Sequence, residues 1–521
     1  MRSTCTILLL AVSLAGGCRR EQPGAPATRE ISLEVLQDKI RGGWAGQMIG
    51  VSYGAPTEFR WRAEIIPEEK LPEWKPEMIA EALDQDDIYV DMTFAQVLEE
   101  KGLDATTEDF GEMFKKSQYR LWHANLAARR ALRRGVPAAE SGTPKYNIHA
   151  NDIDFQIESD FVGLMCPGMP QSAIDYAMRA GRVMNYGDGI YGGVFVSCMY
   201  AAAFFESDPR KIVEAGLACL PPESPYAKLI ADTLRWSQEN PDDWVRTWRL
   251  IEEKWNRRDP CPSGALTPFN IDAKLNGAYI ALGLLYGRGD FEQTLRVATR
   301  CGQDSDCNPS NAAGILGVVL GYERIPEIYR SGIPAIAEKN FSFTKHSFRT
   351  IVESTTQQAV ALAQRRGGRF LGDRLVIAIQ QPVPPPLEIW DDYGEPVERI
   401  PHTDPRFVWK GQWSEHGKGA ARRSSQRGAE VSVTFEGTGF ILVGSYLPSG
   451  GKAEISVDGG APELIDVYED EERAMESLAH RFKLDPGRHT VRLVVRGEPY
   501  EGNPAEKKGR DVVVRDLIVF R

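Results

Sequence analysis

Beyond its first twenty residues the chain has no uninterrupted apolar run of the roughly 20 residues that a membrane-spanning helix needs. It has no repeat of fixed period, which excludes a helical solenoid. It has no excess of positive charge: the formal net charge is -11. That disfavours nonspecific binding to nucleic acid or anionic lipid, and no nucleic-acid partner is expected. Histidines number seven, and none stands at zinc-ligand spacing. His123 and His149 stand alone in sequence and read as structural. No Gly-x-Ser-x-Gly elbow lies in a strand-to-helix setting, which removes that route to Ser-His-Asp chemistry. The eight cysteines lack the close pairs of a zinc site. Six of them, from Cys166 to Cys307, read as buried thiols, with Cys301–Cys307 or Cys219–Cys261 as candidate bridges.

What is present begins with an export signal. Met1-Arg2, an apolar core at residues 7–15 and the small residues Gly16-Gly17 before Cys18 resemble a bacterial lipoprotein signal. Residues 1–18 are then the signal, Cys18 the lipidated residue and residues 19–31 a tether. The expected location is exported and membrane-anchored, periplasmic or at the cell surface. A chain of 521 residues is too long for one ordinary core. From residue 32 to about 379 apolar residues recur at helical spacing, as in Leu33, Leu36, Ile40 and in Met92, Ala95, Leu98. Residues 194–205 are apolar on nearly all sides, as in a central helix. Residues 380–408 open with Gln-Gln-Pro-Val-Pro-Pro-Pro, a stiff linker by composition. From 409 to 521 the period changes to two, as in Val431-Ser432-Val433-Thr434-Phe435. Turns such as Asp458-Gly459-Gly460 separate these runs. The fold class is an all-α domain, with at most one small hairpin, followed by an all-β sandwich.

Two acidic knots carry the chemistry. Asp84-Gln85-Asp86-Asp87 opens one helical pattern, and Gly302-Gln303-Asp304-Ser305-Asp306-Cys307-Asn308 opens another. Acids at a helix start also complement the helix dipole, so either knot alone is weak. Together, carboxylates in two loops suit a hard cation such as Mg, Ca or Mn rather than zinc. The third element is Arg41-Gly42-Gly43-Trp44-Ala45-Gly46-Gln47-Met48-Ile49-Gly50, ending in Glu58 after a Gly/Pro loop. Repeated glycine costs a helix roughly 1 kcal/mol each. A stable protein tolerates that where helices must approach closely.

These three elements, in this order, resemble the ADP-ribosylglycohydrolase family, which includes dinitrogenase reductase-activating glycohydrolases. The resemblance covers roughly residues 32–326. It implies an all-α fold with a two-metal centre, usually Mg2+ and sometimes Mn2+. It also implies that Asp86, Asp87, Asp304 and Asp306 are metal ligands and that Glu58 lies beside the scissile bond. Four departures stand out: Val51 where an Asp is frequent, Gln85 and Ile88 flanking the acidic pair, Cys307 in place of a hydroxyl residue, and Tyr186 where His often stands. Asp188, just after Tyr186-Gly187, keeps its acid and is the second catalytic candidate. The loop His149-Ala150-Asn151-Asp152-Ile153-Asp154 is a candidate substrate loop.

The C-terminal region resembles a galactose-binding or carbohydrate-binding sandwich. Trp409, Trp413 and Tyr446 offer flat faces that suit sugar rings, and core packing explains each of them equally well. Two functions follow as expectations. The first is a metal-dependent hydrolase acting on a glycosidic bond to ADP-ribose or a related ribosyl or furanosyl group, so the partner is a small molecule or glycan bearing a ribose-like sugar. The second is a non-catalytic glycan-binding lipoprotein. Retention of all four metal-site aspartates favours the first, because an unused acidic cluster repels itself.

Overall fold

A computed structural model describes residues 27–256, 259–502 and 508–521. The export signal and Cys18 lie outside the described residues.

The helical region is organised around one helix pair. The helix Leu33–Gly54 starts at Ser32, whose side chain accepts from the Val35 N–H. From Gly42 onward every residue of it is buried. It lies along the helix Cys307–Leu320, which is buried from Cys307 to Val318. Glycine makes the contact possible. A Cβ on Gly46 would meet the Ala313 carbonyl oxygen at 2.1 Å, and one on Gly50 would meet that of Pro309 at 2.3 Å. The two backbones therefore touch on successive turns at Gly42, Gly46 and Gly50, and the C-terminus of the first helix lies against the Ser305-Asp306 backbone. Further helices surround this pair, including the all-round apolar Asp188–Ala203, buried on every face except at Ala202 as its sequence implies.

One small sheet departs from expectation. Thr28–Ser32 pairs antiparallel with Arg374–Ala378, which also pairs with Arg369–Leu371. This is larger than a single hairpin, and residues 28–31 of the expected tether are its edge strand. Leu375, Val376 and Ile377 are buried, so the closing strand anchors the chain on both sides of the helical region.

Two antiparallel sheets form the C-terminal region. One orders its strands Glu463–Asp466, Gly451–Val457, Gly487–Pro499, Glu430–Gly437, Phe407–Lys410. The other orders Arg473–Arg481, Gly439–Tyr446, Val512–Phe520, Ala421–Ser424, Ser414–His416. Val433, Phe435, Leu442, Val491, Leu493 and Leu517 share one core between the sheets. The strand Pro396–Pro401 also pairs with Val512–Phe520. It lies within the span read from composition as linker, and Trp390 and Tyr393 in that span are buried too.

The sheets dock on the helices through buried charge. The Arg130 guanidinium donates from Nε to Glu469 at 2.9 Å and from Nη1 to Glu476 at 2.7 Å. It also lies 3.8 Å above the Tyr446 ring. Arg399 donates to the Pro262 carbonyl at 2.6 Å. Trp390, Ile441, Ile518 and Phe520 pack with Ile148, Ala150 and Ala265 of the helical region. All six cysteines within the described residues are buried free thiols, so neither candidate bridge forms.

Gly46→Ala tests the helix seam. Because the obstruction is backbone, the substitution is expected to cost about 3 kcal/mol, read from urea unfolding of the full chain. Gly460→Ala, whose new Cβ would lie 3.1 Å from the Val457 oxygen, should stay within about 0.5 kcal/mol of the parent. Equal stability of the two variants would contradict the packing described.

Candidate active site

The helix seam delivers the acidic knots to one place. Residues 55–61 leave the first long helix and run beside residues 302–306. The Phe59 N–H donates to the Gln303 carbonyl at 3.0 Å, and the Gln303 N–H donates to that of Trp61 at 2.8 Å. Thr57 Oγ1 and Ser305 Oγ share a hydrogen bond of 2.8 Å. Gln303 uses its side chain as well, accepting from the Asn270 N–H at 3.0 Å and donating to the Pro268 carbonyl at 2.9 Å. Phe59 and Gln303 both adopt left-handed backbone, with φ of 50° and 53°. Such residues cost on the order of 1–3 kcal/mol and cluster at functional sites.

Glu58, Asp304 and Asp306 each place a carboxylate oxygen within 4.8 Å of the others. Asp87, Asp306 and the Cys307 thiol form a second such group. Asp306 is common to both, so the two knots predicted from sequence share one centre. Asp86 faces the same charges: burial and then Asp306 hold its proton to about pH 7. Burial, Asp306 and Asp86 push Glu58 up to about 9, although its surface is open to solvent. Asp87, Asp304 and Asp306 are also raised, burial being the largest cause in each.

The site fits a hard cation on an independent ground. Asp87, Asp304 and Asp306 each keep one buried carboxylate oxygen without a hydrogen-bond partner. Buried acceptors are seldom left so. The donor set is oxygen, as Mg, Mn or Ca requires. Cys307, the departure from the family pattern, donates its thiol to Asp87 Oδ2 at 3.4 Å. Burial raises the thiol well above its usual range, so it stays protonated and orients a carboxylate.

Asp188 stands apart from this centre. It accepts from the Tyr226 N–H at 3.2 Å, and its charged neighbours are Lys274, Asp272 and Asp391. The histidines, by contrast, come together. His149 Nδ1 lies 2.7 Å from Asp152 Oδ2, and His123 Nδ1 lies 3.5 Å from the same oxygen. The His123 ring stacks on Phe269, which packs on Phe59 next to Glu58. His123 also has left-handed backbone, φ 40°. Burial opposes its charge, but Asp152, Asp154 and Asp259 raise it to about 9, and its positive charge pulls the Glu58 carboxyl down. Reading each histidine as isolated missed this. The one signal was that His149 and Asp152 lie three residues apart in the loop already marked for substrate.

A family model described as ADP-ribosylglycohydrolase matches residues 32–368. The chain belongs to this family. At the level of the family it is a hydrolase of glycosidic bonds. A solved structure described as an ADP-ribosylglycohydrolase-related protein complex is similar at 17% identity, with a TM-score of 0.39 over 63% of this chain and 98% of that one. A two-domain esterase active on acetylated mannans is similar at 14% identity and a TM-score of 0.21, over 38% of this chain and 53% of its own. A curated relative, the A type blood alpha-D-galactosamine galactosaminidase of Flavonifractor plautii, is 31% identical over 106 residues. The match takes in 19% of this family member, which spans 10% of that relative's length.

The raised acids set a pH dependence. An unfolded Asp or Glu titrates near pH ~4. Stability from a proton held in the fold is therefore complete below ~4 and is lost as pH rises toward the folded values, about 7 for Asp86 and about 9 for Glu58. Solvent screens Glu58, so Asp86 carries the larger part. In EDTA the melting temperature should fall between pH 5 and 8. Saturating Mg2+ should reduce that slope, and Asp86→Asn should reduce part of it without metal. A slope indifferent to both changes would show that these acids titrate normally.

Proposed function

We propose that this chain is a divalent-cation-dependent hydrolase acting on a glycosidic bond to ADP-ribose or a related ribosyl or furanosyl group. The observation that carries the reading is the convergence of Glu58, Asp87, Asp304 and Asp306, with three buried carboxylate oxygens left unpartnered. Asp86, Asp87, Asp304 and Asp306 would hold the cation, with Mg2+ the first choice and Mn2+ the second. A bound divalent ion supplies Lewis acidity, orients sugar hydroxyls and lowers the pKa of water.

The remaining chemistry belongs to the chain. Glu58 sits at the mouth of the acidic group and holds a proton to about pH 9. In that state its carboxyl can protonate the departing nitrogen or oxygen as the glycosidic bond breaks. Water gives its hydroxyl to the anomeric carbon, and its remaining proton returns to the Glu58 carboxylate, so the acid is regenerated. Phe59 and Phe269 form an apolar wall beside that carboxyl, their ring centroids 4.9 Å apart. His123 closes the wall and, when protonated, offers positive charge toward the developing negative charge on Glu58. The N-terminal sequence supports an exported, Cys18-anchored form, which favours a furanosyl glycoside over an ADP-ribosylated protein.

Glu58→Gln and Asp304→Ala separate the two roles. Both variants should lose at least 100-fold in kcat on ADP-ribosyl-arginine, ADP-ribosyl-serine or a furanosyl aryl glycoside, whichever the parent hydrolyses. By calorimetry Glu58→Gln should keep Mg2+ affinity within about tenfold of the parent, whereas Asp304→Ala should abolish binding. A parent protein that binds no divalent cation would overturn the proposal and leave glycan binding as the function.

A further inference from the structure

A cavity of about 640 Å³ lies between the helical region and the sheets, a size typical of small-ligand sites. One wall is the helix His123–Arg133 with residues 144–149, and the other is the strand Arg473–Arg481 with residues 463–466. His149 lines this cavity. It is also the residue that shares Asp152 with His123, beside Glu58. Two histidines on one carboxylate thus connect the cavity lining to the side of the acidic centre where the His123 charge acts on Glu58.

The sheet wall is shaped for contact. Arg473–Arg481 is an edge strand, and its pairing with Gly439–Tyr446 shifts register twice, between Arg473 and Glu476 and between Ser477 and Ala479. Bulges of this kind re-aim side chains and occur beside active sites. Here they turn Glu476 and His480 toward the helices: Glu476 accepts from Arg130, and His480 Nε2 lies 2.7 Å from the Pro144 carbonyl. Arg130 is 6% exposed and lines the cavity, yet its Nη2 has no hydrogen-bond partner.

The lining also limits the ligand. Arg134, Arg481 and Lys483 are each answered by a carboxylate, from Asp466, Glu463 and Asp392 respectively. Lys145 also lines the cavity, its ammonium exposed and 4.7 Å from the Tyr146 ring centroid, and one such cation is little to hold a phosphate chain. Tyr146, Trp390 and Phe482 add ring surface among these polar groups. Rings set among paired polar groups fit a neutral polyhydroxylated ligand, since sugars present an apolar face and hydroxyl edges.

We infer that this cleft is a saccharide subsite of the hydrolytic centre, holding the sugar units on the far side of the scissile bond, with the sheets as one of its walls. The inference rests on the proposed hydrolase activity for its orientation and names the substrate as a neutral oligosaccharide carrying the furanosyl group. The C-terminal region is then part of the active centre, docked by buried ion pairs.

The test is an array of neutral oligosaccharides of two to six units, with ADP-ribose as the anionic comparator. The probe is the full-length Glu58→Gln protein in Mg2+. At least one saccharide class should bind. Tyr146→Ala and Arg481→Ala, introduced singly, should each weaken that binding at least fivefold and leave ADP-ribose binding and the melting temperature unchanged. No saccharide bound, or binding indifferent to both substitutions, would overturn the subsite. Saccharide binding that follows these substitutions, with no hydrolysis by the parent, would sink the hydrolase reading and leave the cleft standing. Hydrolysis of small glycosides with no gain from longer chains would do the reverse.

Discussion

The acidic centre depends on how closely two helices approach. Leu33–Gly54 and Cys307–Leu320 lie backbone to backbone because glycine leaves no side chain between them. Helices with ordinary side chains pack at 8–10 Å, and these two come closer. That matters because each ends in a functional loop. The first delivers Glu58 from its C-terminus, and the second receives Asp304 and Asp306 at its N-terminus. Widening the seam by one methyl would shift two loops whose carboxylates, on the proposed reading, share an ion. The glycine cost to helix propensity is thus borne by the pair that sets the geometry of the site.

The carboxylates pull the other way. Burial raises all five, and the Asp306 charge raises each of the other four further. Without a counter-charge the fold accommodates them by protonation, as linkage requires. A divalent cation removes the need for those protons. Positive charge near the centre is one-sided among the described residues: His123 faces Glu58, while the Asp87 carboxylate accepts from the Cys307 thiol. A bound cation would relieve that repulsion.

Much of this was legible in the sequence where residues of one kind recur locally. The acidic knots, the glycine run, the alternating strand Glu430–Gly437 and the apolar strand Val512–Phe520 carry their own signal. What escaped was made by distance. His123 and His149 look unrelated in the chain, and a shared carboxylate on Asp152 joins them. The strand Arg473–Arg481 was hidden by its charge: Leu478 joins the sheet core, while Glu476 meets Arg130. Pro396–Pro401 was hidden by its prolines, which sit at its two ends. Thr28–Ser32 was hidden by its position, since it gains a partner only through Arg374–Ala378, more than 300 residues later.

The domain contact follows the same logic of buried polarity. Arg130 is 6% and Glu469 3% exposed, so neither can turn to solvent when the other is lost. Pairs of this kind add little net stability against apolar packing, yet breaking one is costly, about 3–5 kcal/mol. Their consequence is orientation. An apolar patch such as Trp390, Ile441 and Phe520 tolerates sliding, whereas Arg130 accepts one placement in which Glu469, Glu476 and the Tyr446 face are all satisfied. That placement puts the bulged edge strand opposite His149. Tyr446, marked in the sequence for its flat face, uses that face to hold an arginine of the helical region. Trp409 and Trp413 instead pack against each other, ring centroids 4.8 Å apart, and donate to the His402 and Lys410 carbonyls. Of the three aromatics marked in the sequence, the one that lines the cleft therefore serves to position its wall.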